Sequence, residues 1–73
     1  MIQTKFIIQM TTPSRPDLKY FFAGCKPGSN VFELKKSLAK RYDFLEEADR
    51  DARILIAVEK TDTFEVIAIR CRL

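Results

Sequence analysis

Four stretches of this sequence have the residue types of β-strands, and they fall as two pairs on either side of one punctuated helical pattern. The first pair is Thr4 to Met10 and Leu18 to Ala23, the second is Arg53 to Lys60 and Phe64 to Leu73, and the helix starts at Val31. That ββαββ order restricts the chain to an α+β domain in which a helix crosses one face of a sheet, because each element has one apolar side to bury.

The first strand alternates, with Phe6, Ile8 and Met10 on one side and Lys5, Ile7 and Gln9 on the other. Pro13 and Pro16 cannot donate to a ladder, so Thr11 to Pro16 is expected to be an irregular connection. In the second strand the larger set, Leu18, Tyr20 and Phe22, is assigned inward. Pro27-Gly28 suits a type II turn with Gly at positive φ. Asn30 and Glu33 then form a capping box for a helix that buries Val31, Leu34, Leu38 and Tyr42 and exposes Lys35, Lys36, Lys40 and Arg41. Asp43 and Glu46 predict a further short helical turn to Arg50, with a Glu46–Arg50 pair. A hairpin around Thr61-Asp62 is expected to set Val58 opposite Glu65, Ile56 opposite Ile67 and Ile54 opposite Ile69.

Two hairpins joined by a crossover helix make a four-stranded mixed sheet, its first and last strands parallel neighbours in the middle. This is the β-grasp arrangement, and its order resembles that of ubiquitin-like domains and of the small immunoglobulin-binding bacterial domains. The resemblance is one of element order. The chain ends Arg70-Cys71-Arg72-Leu73, not in the Gly-Gly tail that ubiquitin-like conjugation requires, so a covalent modifier or sulfur carrier is not expected. Cys25 and Cys71 fall at opposite ends of this arrangement, beyond the ~7 Å reach of a disulfide, and two free thiols are expected.

Residues 1–73 are expected to form a single domain that buries roughly 60% of its unfolded surface, too little for a deep catalytic cleft. With 47% apolar residues the chain is not a disordered tail. Its longest apolar run, Ile54 to Val58, is far below the ~20 residues of a membrane span, and the N-terminus lacks a basic stretch followed by an apolar core. A cytoplasmic location without membrane attachment is the expectation. The net charge of +3 favours an acidic partner without the heavy charge of a DNA-coating protein.

The absence of His removes the usual general base, the common nucleophile pairs and the commonest metal ligand. Glu46, Glu47, Asp49 and Asp51 lack the order of a calcium loop and read as a solvated charged segment. Cys25 beside Lys26 near a helix start is a candidate reactive thiol, though an incidental one is the simpler reading. Gly28 alone does not make a phosphate-cradling loop. No catalytic residue, metal site or cofactor is expected, and the chain is read as non-enzymatic.

Alternation leaves a second sheet face. With Phe6, Ile8, Ile54, Ile56, Ile67 and Ile69 under the helix, Ile7, Phe21, Leu55, Phe64 and Val66 point the other way, rimmed by Lys5, Lys19, Arg53, Arg70 and Arg72. An apolar strip with a basic rim marks a protein contact surface, and the protein-binding residues are predicted to be Ile7, Phe21, Leu55, Phe64, Val66, Arg53, Arg70 and Arg72. The same face is alternatively covered by the Thr11 to Pro16 loop, by the C-terminus or by a second copy in a homodimer. The leading expectation is a protein-binding module, an adaptor or an inhibitor of a larger host protein in the manner of small phage-encoded modulators, with a partner of acidic surface. It would act through this face or a sheet edge, Leu18 to Ala23 or Arg53 to Lys60. The alternative is RNA or single-stranded DNA binding, with Phe21 and Phe64 stacking bases and Lys5, Lys19, Arg70, Arg72, Lys35, Lys36, Lys40 and Arg41 neutralising phosphates.

Overall fold

In a computed structural model of the chain, which describes residues 1–72, the elements are β1 (Ile2–Thr12), β2 (Arg15–Lys26), β3 (Ser29–Glu33), α1 (Leu45–Val58) and β4 (Thr63–Arg72). The strands form one antiparallel sheet in the order β3-β2-β1-β4. The α+β class and the four-stranded sheet with one helix match the sequence pattern, but the order is βββαβ instead of ββαββ. The first and last strands are neighbours as predicted, yet antiparallel, so the parallel central pair of the β-grasp arrangement is absent and the sheet is not mixed. Leu73, predicted to close the last strand, lies outside the described residues.

Two segments exchange their predicted roles. Val31 to Glu33 is strand, because Phe32 lies opposite Phe22 with ring centroids 5.8 Å apart, a cross-strand aromatic pair that outweighs a local capping signal. Asn30, predicted to cap a helix, belongs to β3 and accepts a hydrogen bond from the Cys25 thiol at 3.5 Å. Gly28 does take the positive φ expected of it, 86°, but the turn joins two strands. Arg53 to Val58, β-branched and read as a strand, is the C-terminal part of α1. Tertiary packing overrides β propensity here: Ala48, Ala52 and Leu55, spaced four and three apart, form a narrow buried stripe, while Ile54, Ile56 and Val58 remain exposed.

The N-cap position falls one residue later than predicted, at Phe44, with no side-chain cap, and Asp43 instead forms an ion pair with Lys5. Glu46 and Glu47 occupy the first turn, where the helix dipole favours negative charge. The i,i+4 pair along it is Asp49–Arg53 at 3.0 Å, not Glu46–Arg50. Thr61-Asp62 lies in a turn as predicted, but one that leads from helix to β4, so the predicted Val58–Glu65, Ile56–Ile67 and Ile54–Ile69 pairs do not form. β4 pairs with β1 instead, Ile7 opposite Ile67 and Ile8 opposite Val66. Thr11 to Pro16 is no long connection either: the β1–β2 hairpin turns tightly at Pro13-Ser14, between the paired Thr12 and Arg15.

Both faces of the sheet are covered. On one, Ile8, Phe22, Phe6, Phe32, Phe64 and Val66 pack against Ala48, Ala52 and Leu55 of the helix and against Tyr42. On the other, Ile7 and Phe21, with Ile67 and Ile69 beside them, lie under Ala39. The cover on this second face is the strap between β3 and α1, which includes a 3-10 turn at Lys36–Leu38.

The strap changes faces through the sheet itself. β1 and β2 pair near their turn, at Gln9–Phe21 and Met10–Tyr20, and then separate. Into that fork come residues 40–42: the Lys40 amide donates to the Phe22 carbonyl at 2.8 Å, and Phe6 and Tyr42 exchange both backbone hydrogen bonds at 2.8 and 2.9 Å. Tyr42 is only 4% exposed and its phenol donates to Asp51 on the helix at 2.7 Å. Burial, reinforced by that carboxylate, pushes the Tyr42 phenol well above its ordinary pKa. One wedge thus satisfies the backbone of two parted strands and ties the helix to them.

Candidate binding site

The residues predicted to share one apolar face do not share it. Ile7 and Phe21 are buried beneath the strap, Phe64 and Val66 pack on the helix side, and Leu55 is a buried helix residue. The cause is the antiparallel β1–β4 register. It puts Val66 level with Ile8 and Ala68 level with Phe6, so even-numbered residues of β4 face the helix while Ile67 and Ile69 face the strap. The predicted open edges are also displaced: Leu18 to Ala23 lies inside the sheet between β1 and β3, and Arg53 to Lys60 is mostly helical. The free edges are β3 and β4.

The cations disperse in the same way. Lys5 pairs with Asp43, and Arg53 pairs with Asp49 on the helix. Lys40 lies 3.8 Å from Asp51 and 5.0 Å from the centroid of the Tyr42 ring. Lys35 lines a shallow depression with Tyr20, Phe32 and Leu34, and Lys19 is exposed on β2.

Four basic residues do border one groove. Lys36 and Arg41 from the strap and Arg70 and Arg72 from β4 line one open groove of about 600 Å³, floored by Ala68, Ile69 and Cys71 and completed by Ser37. Among the described residues no carboxylate lines it and none of the four cations is ion-paired. Ala39 and Arg41 have the same parity in the extended stretch before Tyr42, so with Ala39 on the strap side Arg41 falls there too, while Arg70 and Arg72 carry the helix-side parity of β4 and border the groove from the sheet's edge. The sequence signals all four charges but not their meeting, which depends on a strap passing through a fork in the sheet and has no local signature.

Cys71 on the groove floor is buried and Cys25 is exposed at the far end of β2; both are unpaired thiols. No helix among the described residues is long and apolar enough to cross a membrane. The acidic residues Glu46, Glu47, Asp49 and Asp51 all lie on α1, where Asp51 holds Tyr42 and Asp49 holds Arg53.

Compared with protein families, curated proteins and solved structures, the chain matches none of them.

Proposed function

We propose that this protein is a non-enzymatic binding module that holds an acidic segment of a protein partner in the groove between the strap and the end of β4. The observation that carries the reading is that Lys36, Arg41, Arg70 and Arg72 all line one groove, with no carboxylate and no ion pair to any of them among the described residues. Like charges gathered without internal counterions repel one another, and an anionic ligand relieves that repulsion while steering its own approach. The groove is shallow and open, which suits a segment lying along a surface better than a small molecule enclosed in a pocket. Occupying the surface of a larger acidic protein in this way makes the chain an adaptor or an inhibitor.

Nucleic acid is the second anion class to weigh, and the aromatic placement disfavours it. Sequence-tolerant binding of single strands needs exposed rings beside the cations. Phe21 is 7% exposed beneath the strap, and Phe64 packs in the helix-side cluster with its ring 6.2 Å from that of Phe32. Phe21 is thus covered, and Phe64 is half-buried and engaged in packing against the cluster.

The test is a titration against two labelled probes, a peptide of alternating Glu and Val and an oligo(dT) of equal charge. The expected result is tighter binding of the peptide, weakened about tenfold or more when Lys36→Glu and Arg70→Glu are combined. Tighter binding of oligo(dT), or no effect of the charge reversals, sinks the reading.

A further inference from the structure

We propose that the acidic segment binds as a fifth strand, adding to the free edge of β4 as an extended peptide. The inference rests on the groove reading above and specifies how the partner is held: backbone hydrogen bonds along the edge, with acidic side chains reaching the cations at its end.

The wedge reveals which backbone groups of β4 are free. Phe6 exchanges both of its hydrogen bonds with Tyr42, so its N–H and C=O point toward β2, away from β4. In an antiparallel ladder the residue opposite such a position is in a non-hydrogen-bonded pair. Ala68 is that residue, and its N–H and C=O therefore face outward. The β1–β4 register runs without a shift from Ile2–Arg72 to Thr11–Thr63, so the alternation extends along the strand. Phe64, Val66, Ala68 and Arg70 present outward groups, while Glu65, Ile67 and Ile69 are bonded to β1.

This edge is unusually well formed for one left bare. Native sheets blunt their edges with proline, a bulge, charged residues or brevity. β4 is ten residues long with no proline, its pairing contains no bulge, and its one charge before Arg70 is Glu65. Its basic end opens onto the groove, so charge selects the partner: an extended segment rich in Asp or Glu fits, and a basic one is repelled.

The test is amide hydrogen exchange followed by NMR on the whole chain, with and without the alternating Glu and Val peptide. At a peptide concentration about ten times Kd, exchange at Val66, Ala68 and Arg70, fast in the free protein, is expected to slow about tenfold, whereas Ile67 and Ile69 are already slow without peptide. Ala68→Pro removes an outward donor while sparing the β1 ladder, and is expected to weaken the peptide about tenfold with circular dichroism unchanged. N-methylation of the Ala68 amide by chemical synthesis gives the same reading if the proline variant does not fold. Peptide binding that leaves these amides fast and tolerates the Ala68 changes overturns strand addition and leaves the groove reading intact. Outward amides that are protected without peptide, increasingly so as protein concentration rises, overturn it in favour of a second copy. Absence of any peptide binding overturns both.

Discussion

The two rims of the sheet, β3 and β4, meet solvent in different ways. β3 has five residues and sits beside a bulge at Gly24, whose φ of 122° suits glycine, and its chain leaves at once into the strap. β4 has ten residues in unbroken register, apolar through its middle and basic at its end. A sheet that blunts one rim and leaves the other long and regular has only one place where another strand adds easily. The comparison locates the binding surface at a rim and its adjoining groove, not on a face, since both faces are already occupied by the helix and the strap.

The largest effect separates the two sets of amides within β4. Ile67→Pro cuts a bond to β1 beside the fully buried Ile7 and is expected to cost several kcal/mol, enough to unfold a domain whose stability is on the order of 5–10 kcal/mol. Ala68→Pro, one residue away, is expected to melt within a few degrees of the wild type. Equal destabilisation by both would break the alternation on which the free edge rests. Next come matched truncations on the two rims. Val66→Ala, packed on the helix-side cluster, is expected to cost about 1–2 kcal/mol in denaturant titration, and Val31→Ala on β3, outside both core clusters, less than half as much.

A smaller effect tests the wedge that fixes the register between the rims. Tyr42→Phe removes the hydrogen bond to Asp51, which keeps Lys40 and Arg50 nearby, and is expected to cost about 1 kcal/mol. Because the folded-state pKa of Tyr42 is raised, its contribution is present below the ordinary tyrosine value of about 10 and is lost as pH rises beyond it. Unfolding experiments above pH 10 should show the wild type losing more stability than Tyr42→Phe. A parallel decline would contradict the buried phenol. The smallest effect on folding belongs to the groove: Arg70→Ala with Arg72→Ala is expected to change stability by no more than about 0.5 kcal/mol, while weakening the acidic peptide.

Much of the fold could be read from the sequence, and the part that could not has a common cause. β1 announces itself by alternation, the two turns at Pro27-Gly28 and Thr61-Asp62 by their residues, and the adjacency of first and last strands by the need to close a sheet. What failed were short windows in which local preference opposes tertiary packing. Val31 to Glu33 follows a capping signal and yet pairs with Gly24, Phe22 and Phe21; Arg53 to Val58 is β-branched and yet helical, because Ala48, Ala52 and Leu55 pack against the aromatic face. That second error shifted the parity assigned to β4 and assembled an apolar face that does not exist. The site was legible only as ingredients: Lys36, Arg41, Arg70 and Arg72 were each visible as candidates, but on two separate surfaces.

The most direct test of the account is a chemical-shift map of the isotopically labelled protein titrated with the acidic peptide at low salt and again at 1 M salt, where the screening length falls to ~3 Å. The account predicts shifts confined to Lys36, Ser37, Arg41 and the Val66 to Arg72 stretch of β4, with affinity falling at high salt. Shifts centred on the exposed Ile54 and Val58 of the helix, or affinity that high salt leaves unchanged, would contradict it.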